Sequence, residues 1–202
     1  MSERTKICPV ILVNAPSGPE VKGIARVEMQ RRRALAALRC SEKESGAHLA
    51  KIEKDADDAP VASNGWHWSI SHTRDYSAGV VSRTPIGIDI EPIRVKRLEV
   101  VTSVASDDER SMFDEFGPRE LVRVWTAKEA VLKKAGIGLL ELSSARVVSV
   151  PNDTCLVISH RGRRHLAHQW ERSGHVAAIS SDDEGDLEVH WTWEVRDGEP
   201  SG

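Results

Sequence analysis

One short segment, Gly87-Ile88-Asp89-Ile90-Glu91, constrains the possible folds of this chain more than any other. Neighbouring residues of a strand point to opposite faces, so Ile88 and Ile90 share one face while Asp89 and Glu91 share the other. The pattern therefore predicts a short strand with one face in an apolar core and two carboxylates opposite. Mg²⁺ favours oxygen ligands, commonly one or two carboxylates completed by water and phosphate oxygens. The segment is consistent with a magnesium site, but taken alone it favours the solvent-facing side of an edge strand.

A second segment, residues 125–133, has a helical pattern and adds a third acid and a lysine. Residues four apart are neighbours on a helix, so Trp125, Glu129 and Lys133 form one row. Three carboxylates with a lysine nearby are suited to a site in which a hard cation is bound and coordinates a phosphate ester. The structural alternative is an exposed ion pair between Glu129 and Lys133, worth only roughly 0.2–0.5 kcal/mol.

Composition excludes several classes of protein. The chain has 202 residues and a formal net charge of −3, which argues against nucleic-acid binding through the whole surface. Its three cysteines, Cys8, Cys40 and Cys155, have no CxxC spacing and predict neither a disulfide framework nor a zinc site. No apolar stretch is long enough to cross a bilayer, so we expect a cytoplasmic protein without a membrane partner.

The order of helical and strand patterns predicts an α+β fold with two similar halves, residues 1–85 and 86–202. Each half contains helical material and a set of strands. Predicted helices cover residues 24–38, 44–54, 107–116 and 118–135. Predicted strands cover residues 7–13, 66–71, 77–82, 86–91, 146–150, 154–160, 163–171, 175–180 and 187–195.

Three motifs, taken in order, resemble the 4′-phosphopantetheinyl transferase superfamily in its longer, pseudo-dimeric single-chain form. Gly87–Glu91 fits G-[IV]-D-[IVL]-E, and Trp125–Lys133 fits W-[ST]-x-K-E-[AS]-x-x-K. Upstream, Ser71 and His72 follow an aromatic strand, as in the family. The resemblance spans about residues 66–138. It implies two α+β halves in a pseudo-twofold arrangement, with the active site in the cleft between them.

The resemblance also implies a reaction and its residues. The family transfers phosphopantetheine from coenzyme A to a serine of an apo acyl or peptidyl carrier protein, with Mg²⁺, and releases adenosine 3′,5′-bisphosphate. Asp89, Glu91 and Glu129 would be the magnesium ligands, and Glu129 is the leading candidate for the base. Lys133 would act beside Glu129 in catalysis by opposing the phosphate charge. Coenzyme A would be held by Ser71, His72, Asp89 and Lys133.

Two further features concern the coenzyme A nucleotide. Arg31 and Arg33 are candidates for its 3′-phosphate, because arginine pairs well with phosphate oxygens, although a solvated basic face explains them equally. Many relatives carry a G-K-P type segment before the serine-histidine pair, where this chain has Asp58-Ala59-Pro60. That departure leaves a second hypothesis open, a non-catalytic module that binds coenzyme A or a carrier protein.

The remaining expectations concern assembly and metals other than magnesium. Two fused halves suggest that a monomer suffices. His160, His165 and His168 have spacings that do not place all three on one strand face, so we expect surface histidines and no metal site there.

Overall fold

The computed structural model describes residues 5–14, 23–137, 139–182 and 187–196. Its helices are α1 (Gly23–Glu44), α2 (Leu98–Val104), α3 (Asp107–Arg110) and α4 (Pro118–Lys134), with a 3₁₀ segment at Leu139–Ser144. Its strands are β1 (Thr5–Ile7), β2 (Val10–Val13), β3 (His67–His72), β4 (Tyr76–Ser82), β5 (Ile86–Pro92), β6 (Arg146–Asn152), β7 (Cys155–His160), β8 (Arg163–Arg172), β9 (His175–Ser181), β10 (Leu187–Val189) and β11 (Thr192–Arg196).

The strands form two larger sheets and one small pair, which confirms the α+β class. One sheet has the order β11-β2-β4-β3 and the other the order β5-β9-β8-β7-β6, while β1 pairs with β10. Strands β10 and β11 run parallel to β1 and β2, and the other pairs are antiparallel. The described end of the chain therefore returns to the strands at its beginning.

The same connection occurs in both large sheets. A strand, a helix and two strands occur in the same order as β2-α1-β3-β4 and as β5-α4-β8-β9. In the second case α2 and α3 are inserted before α4, and the 3₁₀ segment, β6 and β7 after it. The sheet orders match as well, β2-β4-β3 and β5-β9-β8. This repeat agrees with two related halves, but their pseudo-twofold arrangement and the division at residue 86 stay predictions.

Each of the two long helices crosses its sheet at a glycine. A Cβ atom placed on Gly79 of β4 would lie 2.3 Å from the backbone nitrogen of Leu38 in α1. A Cβ atom on Gly87 of β5 would lie 1.9 Å from the carbonyl oxygen of Ala130 in α4. Only glycine permits these approaches, so Gly87 has a packing role in addition to its place in the acidic strand motif.

The two sheets meet where β3 lies beside β5, and they share one apolar cluster. The Ser69 hydroxyl on β3 accepts a hydrogen bond from the backbone N–H of Ile88 on β5 at 3.2 Å. The shared cluster contains Ile11 and Val80 from one sheet and Ile88 and Ile179 from the other. The predicted apolar face of β5 is thus confirmed, because Ile88 and Ile90 are fully buried.

Several predicted element boundaries were wrong. The strand predicted at 7–13 is broken between β1 and β2 at Cys8-Pro9, since proline cannot donate to a ladder. Helix α1 continues to Glu44, so the helix predicted at 44–54 is absent from that described stretch. The helix predicted at 107–116 has only the four residues of α3, and α2 was not predicted.

The expectation of surface histidines was also wrong for two of the three. His160 and His165 are buried, on adjacent strands β7 and β8, with ring centroids 6.4 Å apart. The Lys134 ammonium lies 2.7 Å from Nδ1 of His165, so the end of α4 covers this histidine. His168 is only partly buried.

Two expectations from composition can be compared with the described residues. All three cysteines lie in the described part of the chain, and no disulfide joins any two of them. Within the same part, no helix combines the length and the apolar character that a membrane crossing requires.

Candidate active site

Asp89 is the centre of the site, where β3, β5 and α4 converge. Its side chain is buried, with the residue only 4% exposed. One carboxylate oxygen, Oδ1, accepts hydrogen bonds from Ser71 Oγ at 2.8 Å and from Lys133 Nζ at 2.7 Å. The Lys133 ammonium also donates to the carbonyl oxygen of Ile88 at 3.2 Å. Strand and helix motifs that are far apart in sequence are therefore joined by one ion pair.

The second oxygen of Asp89, Oδ2, is buried and has no hydrogen-bond partner among the described residues. A buried carboxylate oxygen without a partner is unfavourable, because it has lost its water and gained nothing in return. The cost falls when a cation or a donor from a ligand contacts that oxygen. This oxygen without a partner is the structural observation that best fits a bound metal ion, alone or in complex with a phosphate ester.

Glu129 lies one helical turn before Lys133 and is buried, with 5% of the residue exposed. Its Oε1 accepts a hydrogen bond from the Trp125 indole N–H at 3.2 Å, as the predicted helix row requires. Burial raises the pKa of the Glu129 carboxyl to about 7, repulsion from Asp89 adds to the rise, and Lys133 opposes it. The site therefore holds a carboxyl group that exchanges its proton near neutral pH.

The exposed-pair alternative for Glu129 and Lys133 is wrong. Lys133 forms its ion pair with Asp89 on β5, and no Glu129–Lys133 pair within 4.0 Å occurs among the described residues. The Lys133 end of the row therefore faces β5.

Glu91 follows Asp89 on the same strand face and is half-buried. Burial raises the pKa of its carboxyl to about 6, and the charge of Asp89 raises it further against the opposing effect of Lys96. The edge-strand alternative predicted solvent-exposed acids, whereas Asp89 is buried and Glu91 is partly covered. The charge of Asp89 raises the pKa of both Glu91 and Glu129, so the three acids make a site with an excess of negative charge.

The described residues do not by themselves form a complete metal-binding site. Within the described ranges, no three His, Cys, Asp or Glu side chains are grouped closely enough to hold a metal ion by themselves. Mg²⁺ commonly takes only one or two carboxylates and completes its shell with water and substrate phosphate oxygens. Asp89 with Glu91 or Glu129 fits that requirement, and the unpartnered Oδ2 of Asp89 supports it.

The predicted nucleotide residues Ser71 and His72 lie at the end of β3, beside the acids. Ser71 is buried and bonds Asp89, while His72 is exposed at the end of the strand. Partial desolvation lowers the pKa of the His72 imidazole, and the nearby Lys133 charge lowers it further. A neutral imidazole at this position is a hydrogen-bonding group and not a fixed cation.

Lys54 is a further cation near His72 that the motifs did not indicate. Its charge contributes to the lowered pKa of His72, and its Nζ pairs with Asp58 at 2.7 Å. Lys54 forms an isolated antiparallel bridge with Pro60, which closes this loop. The stretch that lacks the family's lysine at 58–60 thus has a lysine a few residues earlier. No local pattern predicts such a loop, because its shape depends on tertiary contacts.

Arg31 and Arg33 are not joined to this cluster by any hydrogen bond or ion pair of the described residues. Arg31 is exposed, and Arg33 is half-buried with an Nη1 atom that lacks a partner. Their assignment to coenzyme A stays a prediction.

The direction of α1 nevertheless places its arginines at the relevant end of the sheet. Ser41 of α1 bonds the N–H of Val81, and Leu38 passes Gly79. Earlier helix residues therefore lie towards the beginning of β4, where Ser77 pairs with His72.

Part of the chain that forms this site is similar to known proteins. Residues 85–182 match the sequence model of the 4′-phosphopantetheinyl transferase superfamily. This region, which contains Asp89, Glu91, Glu129 and Lys133, is similar to that superfamily.

A curated relative has a similar description. The 4′-phosphopantetheinyl transferase psf-1 of Bacillus pumilus is 30% identical over 94 residues, which cover 44% of this chain and 40% of the relative. The matched region thus spans well under two thirds of that protein.

Proposed function

We propose that this protein transfers the 4′-phosphopantetheine group of coenzyme A to a serine of an apo carrier protein. Adenosine 3′,5′-bisphosphate is the second product. The observation that carries the proposal is Asp89, held by Ser71 and Lys133 beside two acids of raised pKa. Asp89, Lys133 and the two other acids lie inside the region that matches the superfamily, and Ser71 lies before it.

The first role of these residues is to bind the pyrophosphate and nucleotide of coenzyme A. Lys133 opposes the negative charge that grows on the phosphate oxygens in the transition state. Ser71 and His72, at the end of β3, hold the nucleotide side. Positioning supplies much of the rate in phosphoryl-type transfers, because the protein adds little covalent chemistry.

Glu129 is the proposed base. The carrier serine loses its proton as its oxygen bonds to phosphorus and the bond to the bisphosphate leaving group breaks. A base works best with a pKa near the working pH, and burial raises the pKa of Glu129 to about 7 when no cation is bound. A metal-bound glutamate is a poorer base, so the base role of Glu129 ranks below its role as a ligand. The Trp125 indole holds the carboxyl in place.

Asp89, Glu91 and Glu129 are the proposed magnesium ligands. When bound, Mg²⁺ would supply Lewis-acid stabilisation of phosphate charge. The three acids fit the ion because their mutual repulsion falls when a cation lies among them. We also propose that the two halves have a pseudo-twofold relation, with this site between them, in a monomer.

The test is a transfer assay with coenzyme A, Mg²⁺ and a panel of apo acyl and peptidyl carrier proteins. Mass spectrometry should show one added phosphopantetheine on at least one carrier. Glu129→Gln should lower the rate by about 100-fold or more, because it removes the base without changing the shape of the side chain. Glu115→Gln, which changes an exposed acid, is the matched control and should keep the wild-type rate.

Two results would contradict the proposal. A near-normal rate for Glu129→Gln would remove Glu129 from the mechanism. Calorimetric binding of coenzyme A without transfer to any carrier would favour the non-catalytic coenzyme A-binding or carrier-binding module instead.

A further inference from the structure

A second cluster of charged and histidine side chains lies at the turn between β7 and β8, which has the sequence His-Arg-Gly-Arg-Arg-His at residues 160–165. His160 pairs with Arg163 across this turn, and His165 follows Arg163 by two residues on β8. Residues that pair across strands, and residues two apart on one strand, share a face of the sheet. Both histidines and Arg163 therefore lie on one face, where the end of α4 covers His165.

A cavity of about 430 Å³, which we call the turn pocket, lies beside this cluster. It is lined by Arg163, Arg164, His165 and Asp182. Both arginines are exposed, whereas His165 is buried. Pockets that bind small molecules commonly have volumes of about 300–1,000 Å³. The turn pocket is therefore large enough for a small molecule and not only for a single ion.

Lys134, at the end of α4, makes this pocket unsuitable for a metal ion. Only 3% of its side chain is exposed, and its ammonium group lies 2.7 Å from Nδ1 of His165 and 2.8 Å from Oδ1 of Asp182. The protein's own cation thus occupies the place between the histidine and the acid. Among the described residues, no group of three His, Cys, Asp or Glu side chains could hold a metal ion.

The turn pocket has an excess of positive charge. Asp182 is paired with the buried lysine, and Arg161, the third arginine of the turn, is paired with Glu141 at 3.3 Å. Neither Arg163 nor Arg164 has an ion-pair partner in the described part of the chain. Two cations therefore stand at the pocket without a counter-charge, an arrangement that attracts an anion.

His160 adds a buried polar atom without a partner. The residue is only 4% exposed, and its Nε2 has no hydrogen-bond partner among the described residues. Its ring centroid lies 6.4 Å from that of His165, which lines the pocket. A buried polar atom that has lost its water costs free energy unless another hydrogen-bonding atom replaces that water. An anionic ligand that extends to this nitrogen would remove the cost.

We propose that the turn pocket binds a phosphate monoester. Its phosphate group is held by Arg163 and Arg164 and accepts a hydrogen bond from Nε2 of His160. Arginine matches phosphate closely, because its planar guanidinium donates two parallel N–H···O bonds to two phosphate oxygens. A phosphate dianion balances both arginines, which a carboxylate or a phosphodiester, each with a single charge, does not. The organic part of the ester fills the rest of the cavity.

The turn pocket is separate from the proposed active site. Ser181, which directly precedes the pocket residue Asp182, pairs with Ile86 at the start of β5, whereas Ala178 pairs with Asp89. Three residues of a strand span roughly 10 Å. The inference therefore goes beyond the proposed function and holds or fails independently of it.

The experiment measures calorimetric binding of glycerol 3-phosphate to the whole chain in EDTA. Without a divalent cation the three acids of the active site repel anions, so the heat reports on the turn pocket. Arg163→Gln and Arg164→Gln should each weaken binding by about tenfold or more, because each removes charge-assisted hydrogen bonds. Both positions are exposed, so both variants should fold as the wild type does. Lys43→Gln, which removes an exposed cation on α1, is the matched control and should bind as the wild type.

Two further measurements locate the ligand and identify its source. The imidazole ¹⁵N signals of His160, assigned with His160→Gln, should shift during the titration with the dissociation constant that calorimetry gives. Vesicles that contain phosphatidic acid present the same monoester on a lipid, whereas phosphatidylglycerol is a diester. Binding that depends on Arg163 to phosphatidic acid vesicles alone would support the proposal with a lipid headgroup as the ligand, and binding to glycerol 3-phosphate would support it with a dissolved ester.

Four results would overturn the proposal. Inorganic phosphate that binds as tightly as glycerol 3-phosphate would indicate an adventitious ion only. Affinities of Arg163→Gln and Arg164→Gln that equal the affinity of Lys43→Gln would remove the two arginines from the site. Unshifted His160 signals at saturation would place the ligand elsewhere. A wild type that binds neither form of the monoester, or that binds phosphatidylglycerol vesicles equally well, would show that the turn pocket does not select this group.

Discussion

At the scale of single residues, Asp89 shows how one side chain organises a site. Its Oδ1 joins Ser71 of β3 to Lys133 of α4, while its Oδ2 has no partner among the described residues. Its negative charge in turn raises the pKa of both Glu91 and Glu129. The chain thus holds three acids together at a cost to its own stability, which a cation is expected to offset.

The raised pKa values give a prediction for stability against pH. The folded Glu91 and Glu129 carboxyls hold their protons more tightly than the unfolded ones, whose pKa is near the ordinary 4.5. The free energy of unfolding therefore loses this contribution as pH rises from about 4.5 to about 7, since the folded state binds more protons in that window. Denaturant titrations in EDTA should show that Glu129→Gln gains stability relative to wild type over this range.

Denaturant titrations with Mg²⁺ in place of EDTA provide an internal check. Mg²⁺ should stabilise the wild type more at pH 8 than at pH 5, because the ionised acids bind the cation. A stability difference between Glu129→Gln and wild type that does not change with pH would contradict the linkage.

At the scale of elements, close helix–strand contacts fix the position of the site. Gly87 lets α4 lie against β5, and this contact brings Lys133 within reach of Asp89. The motif glycine therefore acts through backbone packing, and a side chain at that position would push the helix away from the acids.

Gly87→Ala should destabilise the protein by about 1–3 kcal/mol or more, because its Cβ would overlap the Ala130 carbonyl. Thermal denaturation followed by circular dichroism measures the change. Gly117→Ala is the matched control, since a Cβ there meets no atom closer than 3.5 Å. Its cost should stay within about 1 kcal/mol, as expected for a cap position. Equal loss for both variants would show that the close contact is not the cause.

The elements also show what the sequence could predict. Strand β5 and helix α4 were predicted well, because their apolar periodicities are strong and proline marks the helix start. Helix α2 was missed because its sequence, LEVVTSV, is rich in β-branched residues that favour strands. The prediction of a helix at 44–54 was wrong because it did not take Gly46 into account. This glycine has a φ of 63° and accompanies the end of α1.

The site was also predictable only in part, because some of its contacts depend on tertiary packing. The row Trp125, Glu129 and Lys133 follows from helical spacing, but the Asp89–Lys133 pair depends on how α4 packs against β5. Lys54 reaches the surroundings of His72 through an irregular loop, whose path has no periodic pattern.

At the scale of the whole molecule, the two sheets share one core. Ile11 and Val80 from the β2-β4 side pack in the same cluster as Ile88 and Ile179 from the β5-β9 side. The side-chain bond from Ser69 to the Ile88 backbone adds a polar link. Neither sheet can lose its partner without exposing part of this cluster.

We therefore expect one cooperative unfolding transition. Urea curves followed by tryptophan fluorescence and by far-ultraviolet circular dichroism should coincide, as two-state behaviour requires. Ile88→Ala should shift both curves together and lower stability by about 2–5 kcal/mol. Two separated transitions would show that the sheets unfold independently.

The contact between β3 and β5 has a consequence for the behaviour of the protein at high concentration. An edge strand offers unpaired backbone groups to other chains and promotes aggregation. Here β3 and β5, the inner edges of the two larger sheets, cover each other, which leaves β11 and β6 as the outer edges of these two sheets. Both outer strands have irregular pairing, and β6 contains Pro151. Bulges and proline disfavour the addition of a further strand, so the arrangement protects the two larger sheets from edge-to-edge aggregation.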